Sequence, residues 1–103
     1  MPSLTPLITE FPESIQKYIK TTIEVVQPEQ LILFGSRARK THRGNSDFDI
    51  AALGKIDSQK WIQLKVLLSD DSPSLYSVDL VLYESLGDDY KKNIAHEGKL
   101  IYG

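Results

Sequence analysis

LILFGSRARKTHRGNSDFD, residues 31–49, decides how this chain is read. Leu31 to Phe34 is apolar, too short for a surface helix, and bounded by Gln30 and Gly35, so it reads as a buried strand. Gly35-Ser36 breaks that strand and opens a short charged helical piece, Arg37 to about Thr41, which Gly44-Asn45 ends as a turn. Asp47 to Leu53 alternates at its start and then becomes apolar, a second strand entering the core. Residues two apart in a strand share a face. Asp47 and Asp49 therefore project together, and Phe48 goes into the core on the other side.

Each half of the stretch has a chemical use. A glycine at the end of a strand lets backbone approach a ligand closely. A helix starting there turns N–H groups and the positive end of its dipole toward an anion, and the Ser36 hydroxyl can donate one further hydrogen bond. Alone, a Gly-Ser pair is most often simply a turn. Two adjacent carboxylates repel, and a hard divalent cation relieves them; Mg²⁺ takes one or two carboxylates plus substrate phosphates. Alone, an Asp-x-Asp is more often the end of a turn followed by an exposed acid.

Asp79 weakens that bland reading. It lies near the start of VDLVLY, residues 78–83, which is otherwise apolar and reads as a third strand. A carboxylate in such a place is exposed at the strand end, paired, or bound to metal. If the two aspartate-bearing strands are neighbours, Asp79 joins Asp47 and Asp49 at one edge of the sheet. Three carboxylates can hold a pair of metal ions for in-line displacement at phosphorus, and Asp79 can help deprotonate an attacking hydroxyl. The expected ligand is a nucleoside triphosphate held between the glycine turn and the carboxylates. Arg37 and Arg39 either contact phosphates or a partner, or pair with a nearby carboxylate; adjacency to Ser36 favours Arg37 as a site residue.

Outward from this stretch, residues 1–10 carry two prolines and little periodicity, and are expected to be an irregular arm. Pro12 suits a first helical turn, and Ile15, Tyr18, Ile19, Ile23 and Val26 recur at helical spacing until Pro28. Asp57-Ser58 is an N-cap for a helix over 59–68, with Trp61, Leu64, Leu67 and Leu68 as its apolar face. A polar loop over 69–74 follows. Asp88 caps a last helix through Tyr90, Ile94 and Ala95, with Gly98 as its stop and a short strand at Leu100–Tyr102. Alternating helices and strands predict an α/β fold, a sheet covered by helices, in one domain over 1–103.

The chain has 103 residues, 41% hydrophobic and 25% charged, the composition of a globular domain. With no cysteine it has no disulfide framework and no thiolate metal site. No apolar run approaches the ~20 residues of a membrane helix, and the N-terminus lacks the basic start and apolar core of a signal peptide, so a cytoplasmic location is expected. The net charge is -2. Positive charge is local, in Arg37, Arg39, Lys40, His42 and Arg43, which fits a small anionic substrate better than stable nucleic-acid binding. Residues 35–41, GSRARKT, lack the glycine that precedes the lysine of a P-loop. His42 and His96 read as exposed, Trp61 as packing, and Tyr83 and Tyr90 as core or partner-facing.

Gly35-Ser36, ten intervening residues and Asp47-Phe48-Asp49 resemble the G-S-x10-D-x-D signature of the DNA polymerase beta-type nucleotidyltransferases. Asp79 in VDLV looks like their third carboxylate, and LFGSRARKTHRGNSDFDIA is similar to the minimal nucleotidyltransferases. The resemblance implies a mixed sheet with helices packed on it. It implies Mg²⁺-dependent transfer of a nucleoside monophosphate from a triphosphate to an acceptor hydroxyl, with release of pyrophosphate. Gly35 and Ser36 would hold the nucleotide, with Arg37 beside them; Asp47, Asp49 and Asp79 would be the catalytic and metal-binding residues. It also implies a partner, a HEPN toxin encoded by the adjacent gene, on which this antitoxin would place AMP from ATP at a tyrosine, in a hetero-oligomer. Lys40 stands where many members have glycine, which bears on loop shape and nucleotide preference. The small size predicts that a partner, or another copy, completes the acceptor site. The competing expectation is a binding module that neutralises its partner by occlusion; the intact aspartates favour the enzyme.

Overall fold

The computed structural model describes residues 3–39, 47–70 and 78–103. Four strands form one sheet in the order β3-β2-β1-β4: β1 Gln30–Phe34, β2 Phe48–Leu53, β3 Val78–Leu82 and β4 Lys99–Tyr102. β1 is antiparallel to both β2 and β4, and β2 is parallel to β3. The sheet is therefore mixed. The parallel pair is the one that carries the aspartates.

Strand alternation sorts the two faces. Leu31, Leu33, Phe48, Ile50, Ala52 and Leu80 turn to one side, where they pack with α1 (Glu13–Val26) and α3 (Ser58–Asp70). Phe34 and Ala51 turn to the other and pack with Ile94 of α4 (Asp88–Glu97). The first face holds most of the core; the second is covered by one helix. At about 25 cal/mol per Å² of apolar burial, the two-helix side dominates the hydrophobic stabilisation.

Several boundaries differ from the sequence reading for local reasons. Residues 3–10, the described part of the expected arm, are not simply irregular. Thr5 donates its backbone N–H to the Ile101 carbonyl at 2.8 Å and its hydroxyl to the Leu100 carbonyl at 2.7 Å. Pro6 then starts a 3₁₀ turn to Glu10, and Ile8 and Phe11 are buried. Pairing with β4 supplies the order that periodicity did not announce. α1 ends at Gln27, in the left-handed conformation at φ 48°, just ahead of Pro28. Asp57 caps α3 as expected, its Oδ1 accepting from the N–H of Gln59 at 2.8 Å and of Lys60 at 3.3 Å. That helix continues to Asp70, beyond its expected end; residues 71–77 lie outside the described residues.

The expected apolar face of α3 is partly wrong. Leu64 and Leu68 are buried and Trp61 is half-buried, but Leu67 is exposed, as are Ile62 and Val66. α3 packs chiefly on α1, so only a narrow stripe is covered. Gly87, not Asp88, is the N-cap of α4, and Asp88 and Asp89 occupy its first turn, where negative charge suits the helix dipole.

Gly98 ends α4 through space rather than backbone freedom. Its φ of -63° is open to any residue, but a Cβ there would meet the Ile94 carbonyl oxygen and lie 2.7 Å from Ile32 Cγ2. Gly98→Ala is expected to lower unfolding free energy by about 1–3 kcal/mol, read by urea denaturation. An unchanged midpoint would refute this packing argument.

Candidate active site

The end of β1 positions the first component. Gly35 has φ +77°, a left-handed conformation that glycine adopts without a Cβ penalty. It lies directly against Asp49: a Cβ at Gly35 would overlap Asp49 Oδ2 and approach Cγ at 3.1 Å. The strand register explains the closeness, because Phe34 pairs with Asp49 across the antiparallel β1–β2 ladder. α2 (Ser36–Arg39) follows at once. The side chain of Ser36 lies outside the described residues, as do Lys40, His42 and Arg43.

The second component is a pair of acids. Asp49 stands opposite Asp79 in the parallel β2–β3 register, one strand spacing of about 4.8 Å away. Asp47 precedes β2 and is exposed, while Phe48 is buried on the opposite face. Phe34, Gly35, Asp49 and Asp79 line a cleft of about 620 Å³, together with Val81, Leu86, Tyr90, Asn93 and Glu97. Asp47 is not among the residues lining it.

Arg37 makes an aromatic contact. Its guanidinium sits 3.9 Å from the centroid of the Phe48 ring, and Phe48 meets Phe11 edge to face at a centroid separation of 5.5 Å. These residues border a separate recess of about 340 Å³ with Leu7, Glu10, Leu33 and Lys99. The contact ties α2 to β2, and β2 to the N-terminal turn. Phe48→Leu removes both aromatic contacts and is expected to lower stability by roughly 1–2 kcal/mol in denaturant titration. Native stability in this variant would show that the stack contributes nothing.

Electrostatics around Asp79 extend to the sheet edge. Lys65 donates its ammonium to the Leu80 carbonyl at 2.6 Å, satisfying a backbone group of the edge strand β3. Burial lowers the Lys65 pKa, and the Asp79 carboxylate partly opposes that by favouring the charged form. The Tyr18 hydroxyl is pushed up, first by burial and then by the Asp79 charge.

Among the described residues, no group of three His, Cys, Asp or Glu side chains is gathered to hold a metal ion. The donor chemistry nevertheless fits a hard cation. Asp49 and Asp79 are oxygen ligands in adjacent register, and Mg²⁺ binds through one or two carboxylates with substrate supplying further oxygens.

Sequence reading missed the contribution of α4. Tyr90, Asn93 and Glu97 recur three and four residues apart, as one side of a helix does. That spacing is equally the signature of a solvated face, and only the packing of Ile94 against Phe34 and Ala51 turns it to the cleft.

The family model for "Polymerase beta, Nucleotidyltransferase" matches residues 13–103, and this chain belongs to that family. No curated protein matches it. Among solved structures, it is similar to a toxin-antitoxin complex with AMP-PNP, at 28% identity over 85% of this chain and 69% of that chain, with a TM-score of 0.55. It is similar to a mutant toxin-antitoxin MntA-HpeT at 26% identity, with the same coverage and a TM-score of 0.54. A third is a tri-AMPylated Shewanella oneidensis HEPN toxin in complex with MNT antitoxin, at 25% identity over 85% of this chain and 68% of that chain, with a TM-score of 0.54. No helix among the described residues is long and apolar enough to cross a membrane.

Proposed function

We propose that this chain is a Mg²⁺-dependent protein adenylyltransferase that moves AMP from ATP to a tyrosine hydroxyl of a HEPN toxin, and so acts as the antitoxin of that pair. The observation that carries the reading is the Asp49–Asp79 pair, in register and beside the left-handed Gly35 in the lining of one cleft. Family membership supports nucleotidyl transfer. The likeness to complexes holding AMP-PNP and an AMPylated HEPN toxin supports AMP and that class of partner.

In this reading Gly35 lets the triphosphate approach the backbone, and Ser36 donates to a phosphate oxygen. Arg37 acts from its place on Phe48, holding α2 against β2 beside the phosphates. Asp47, Asp49 and Asp79 would hold the cation, which when bound neutralises triphosphate charge. The acceptor tyrosyl oxygen attacks the α-phosphorus. The bond from that phosphorus to the oxygen bridging the β-phosphate breaks, and pyrophosphate leaves. Asp79, exposed at the sheet edge, takes the phenolic proton and passes it to solvent.

The test is intact-mass analysis of the toxin encoded beside this gene, after incubation with the chain, ATP and Mg²⁺. Additions of whole AMP units, mapped to tyrosine, are expected. A toxin fully neutralised with no change in mass would replace the enzyme by an occluding partner.

A further inference from the structure

Tyr90 lines the cleft that holds Asp49 and Asp79 but has no part in the chemistry above. We propose that it is a second acceptor: in the absence of a toxin, the chain transfers AMP from ATP to its own Tyr90 hydroxyl. This rests on the proposed AMP transfer and adds a modification site within the chain itself.

Packing brings the phenol to the carboxylates. α4 docks through Ile94 onto Phe34 and Ala51. These two residues flank Asp49. Phe34 is its partner across the β1–β2 ladder, and Ala51 lies two residues on along β2, hence on the same face. Tyr90 precedes Ile94 by four residues, about 6 Å along the helix axis and on the same side of it. Among the described residues that line the cleft, Tyr90 alone carries a hydroxyl. Its 57% exposure leaves the ring outside the core, with the hydroxyl accessible. The cleft volume of about 620 Å³ falls in the roughly 300–1,000 Å³ range of small-molecule sites.

The other described tyrosines are placed differently. Tyr18 is buried in the core between α1 and the sheet, and its hydroxyl is held protonated first by burial and then by the Asp79 charge. Tyr83 borders a different recess with Glu29, Leu53 and Gly54, at the opposite end of β2 from Asp49. Tyr102 lies on β4, which β1 separates from both aspartate-bearing strands.

The step balances as it does for the toxin. The Tyr90 oxygen attacks the α-phosphorus, and the bond from that phosphorus to the bridging oxygen of the β-phosphate breaks. Pyrophosphate leaves with the electron pair, and the phenolic proton passes to Asp79 and then to solvent. An acceptor built into the cleft wall is already at high effective concentration, so no partner is needed to deliver it. The product carries AMP in the cleft that the next ATP must enter, so a single addition is expected.

The test incubates the full chain alone with ATP and Mg²⁺ and follows it by intact mass and fragment-ion mapping. Wild type is expected to gain one AMP, at Tyr90, with a rate constant that stays within twofold over a tenfold dilution of the chain. Tyr90→Phe and Asp49→Asn are each expected to lose this gain, with thermal unfolding showing that both are folded. Asp49→Asn retains Tyr90, so mixed with wild type it separates transfer within a chain from transfer between chains; it is expected to stay unmodified. Its modification in that mixture, or a rate constant that rises with chain concentration, would overturn transfer within the chain. A gain mapped to another residue, or no gain by a chain that does modify the toxin, would overturn the inference and leave the proposed function standing. No gain on either chain or toxin would overturn both.

Discussion

Asp49→Asn is expected to lower the rate of AMP transfer by at least about 10²–10³-fold, the scale of losing one preorganised electrostatic contact in an active site, while leaving the chain folded. The carboxamide has nearly the shape of the carboxylate, so the β2 register with Phe34 on one side and Asp79 on the other is kept. What changes is charge. Asp49 and Asp79 are direct neighbours on adjacent strands, and neutralising one relieves a like-charge contact. Stability should therefore hold or rise slightly, by under about 1 kcal/mol, whereas cation affinity falls. Initial rates of toxin mass gain, Mg²⁺ titration in the presence of AMP-PNP, and thermal unfolding separate these effects. A wild-type rate in this variant would remove Asp49 from the chemistry. A large loss of stability would mean that its hydrogen bonding, rather than its charge, matters most.

The parts of this fold that follow from local physics were legible in the sequence. Ile15, Tyr18, Ile19 and Val26 are buried on α1 as their spacing requires, and Asp57 caps α3. Phe48 points to the core while its neighbours on either side do not, as strand alternation demands. The mixed sheet was implied by the family resemblance, and β2 and β3 are neighbours with the two aspartates in register. The parts that depend on long-range contact were not legible. The pairing of Thr5 with Ile101 joins segments 96 residues apart and gives the N-terminus its order. Adjacency to Ser36 favoured Arg37 as a site residue, but the ring on which its guanidinium sits, Phe48, is eleven positions on and was not legible as its neighbour. Tyr90, Asn93 and Glu97 reach the cleft because Ile94, on the same face of α4, packs onto Phe34 and Ala51 of the sheet.

Gly35→Ala should be damaging to both stability and transfer, and its two causes can be separated. The first is local: an alanine at φ +77° carries a left-handed backbone cost of roughly 1–2 kcal/mol. The second is a contact, because the new methyl would occupy the space of Asp49 Oδ2 and press on Cγ. Relief requires the Asp49 side chain to turn away or the β1–β2 ladder to shift, and either removes the carboxylate from its place beside the phosphate turn. Together the two effects are expected to cost about 2–4 kcal/mol of stability. Transfer should fall at least as far as in Asp49→Asn, since the turn and the carboxylate are displaced by one change. A double-mutant cycle isolates the contact. In an Asp49→Ala background Oδ2 and Cγ are gone, and the nearest remaining atom, Cβ, is at an ordinary 3.4 Å. Gly35→Ala should then cost only the backbone term, giving a coupling of about 1–2 kcal/mol between the two positions. Equal costs in both backgrounds would mean that Gly35 is needed for its conformation alone, and that the closeness of Asp49 imposes no requirement on it. A coupling of the expected size would show why this position excludes even the smallest side chain: the glycine holds open the space in which the carboxylate sits.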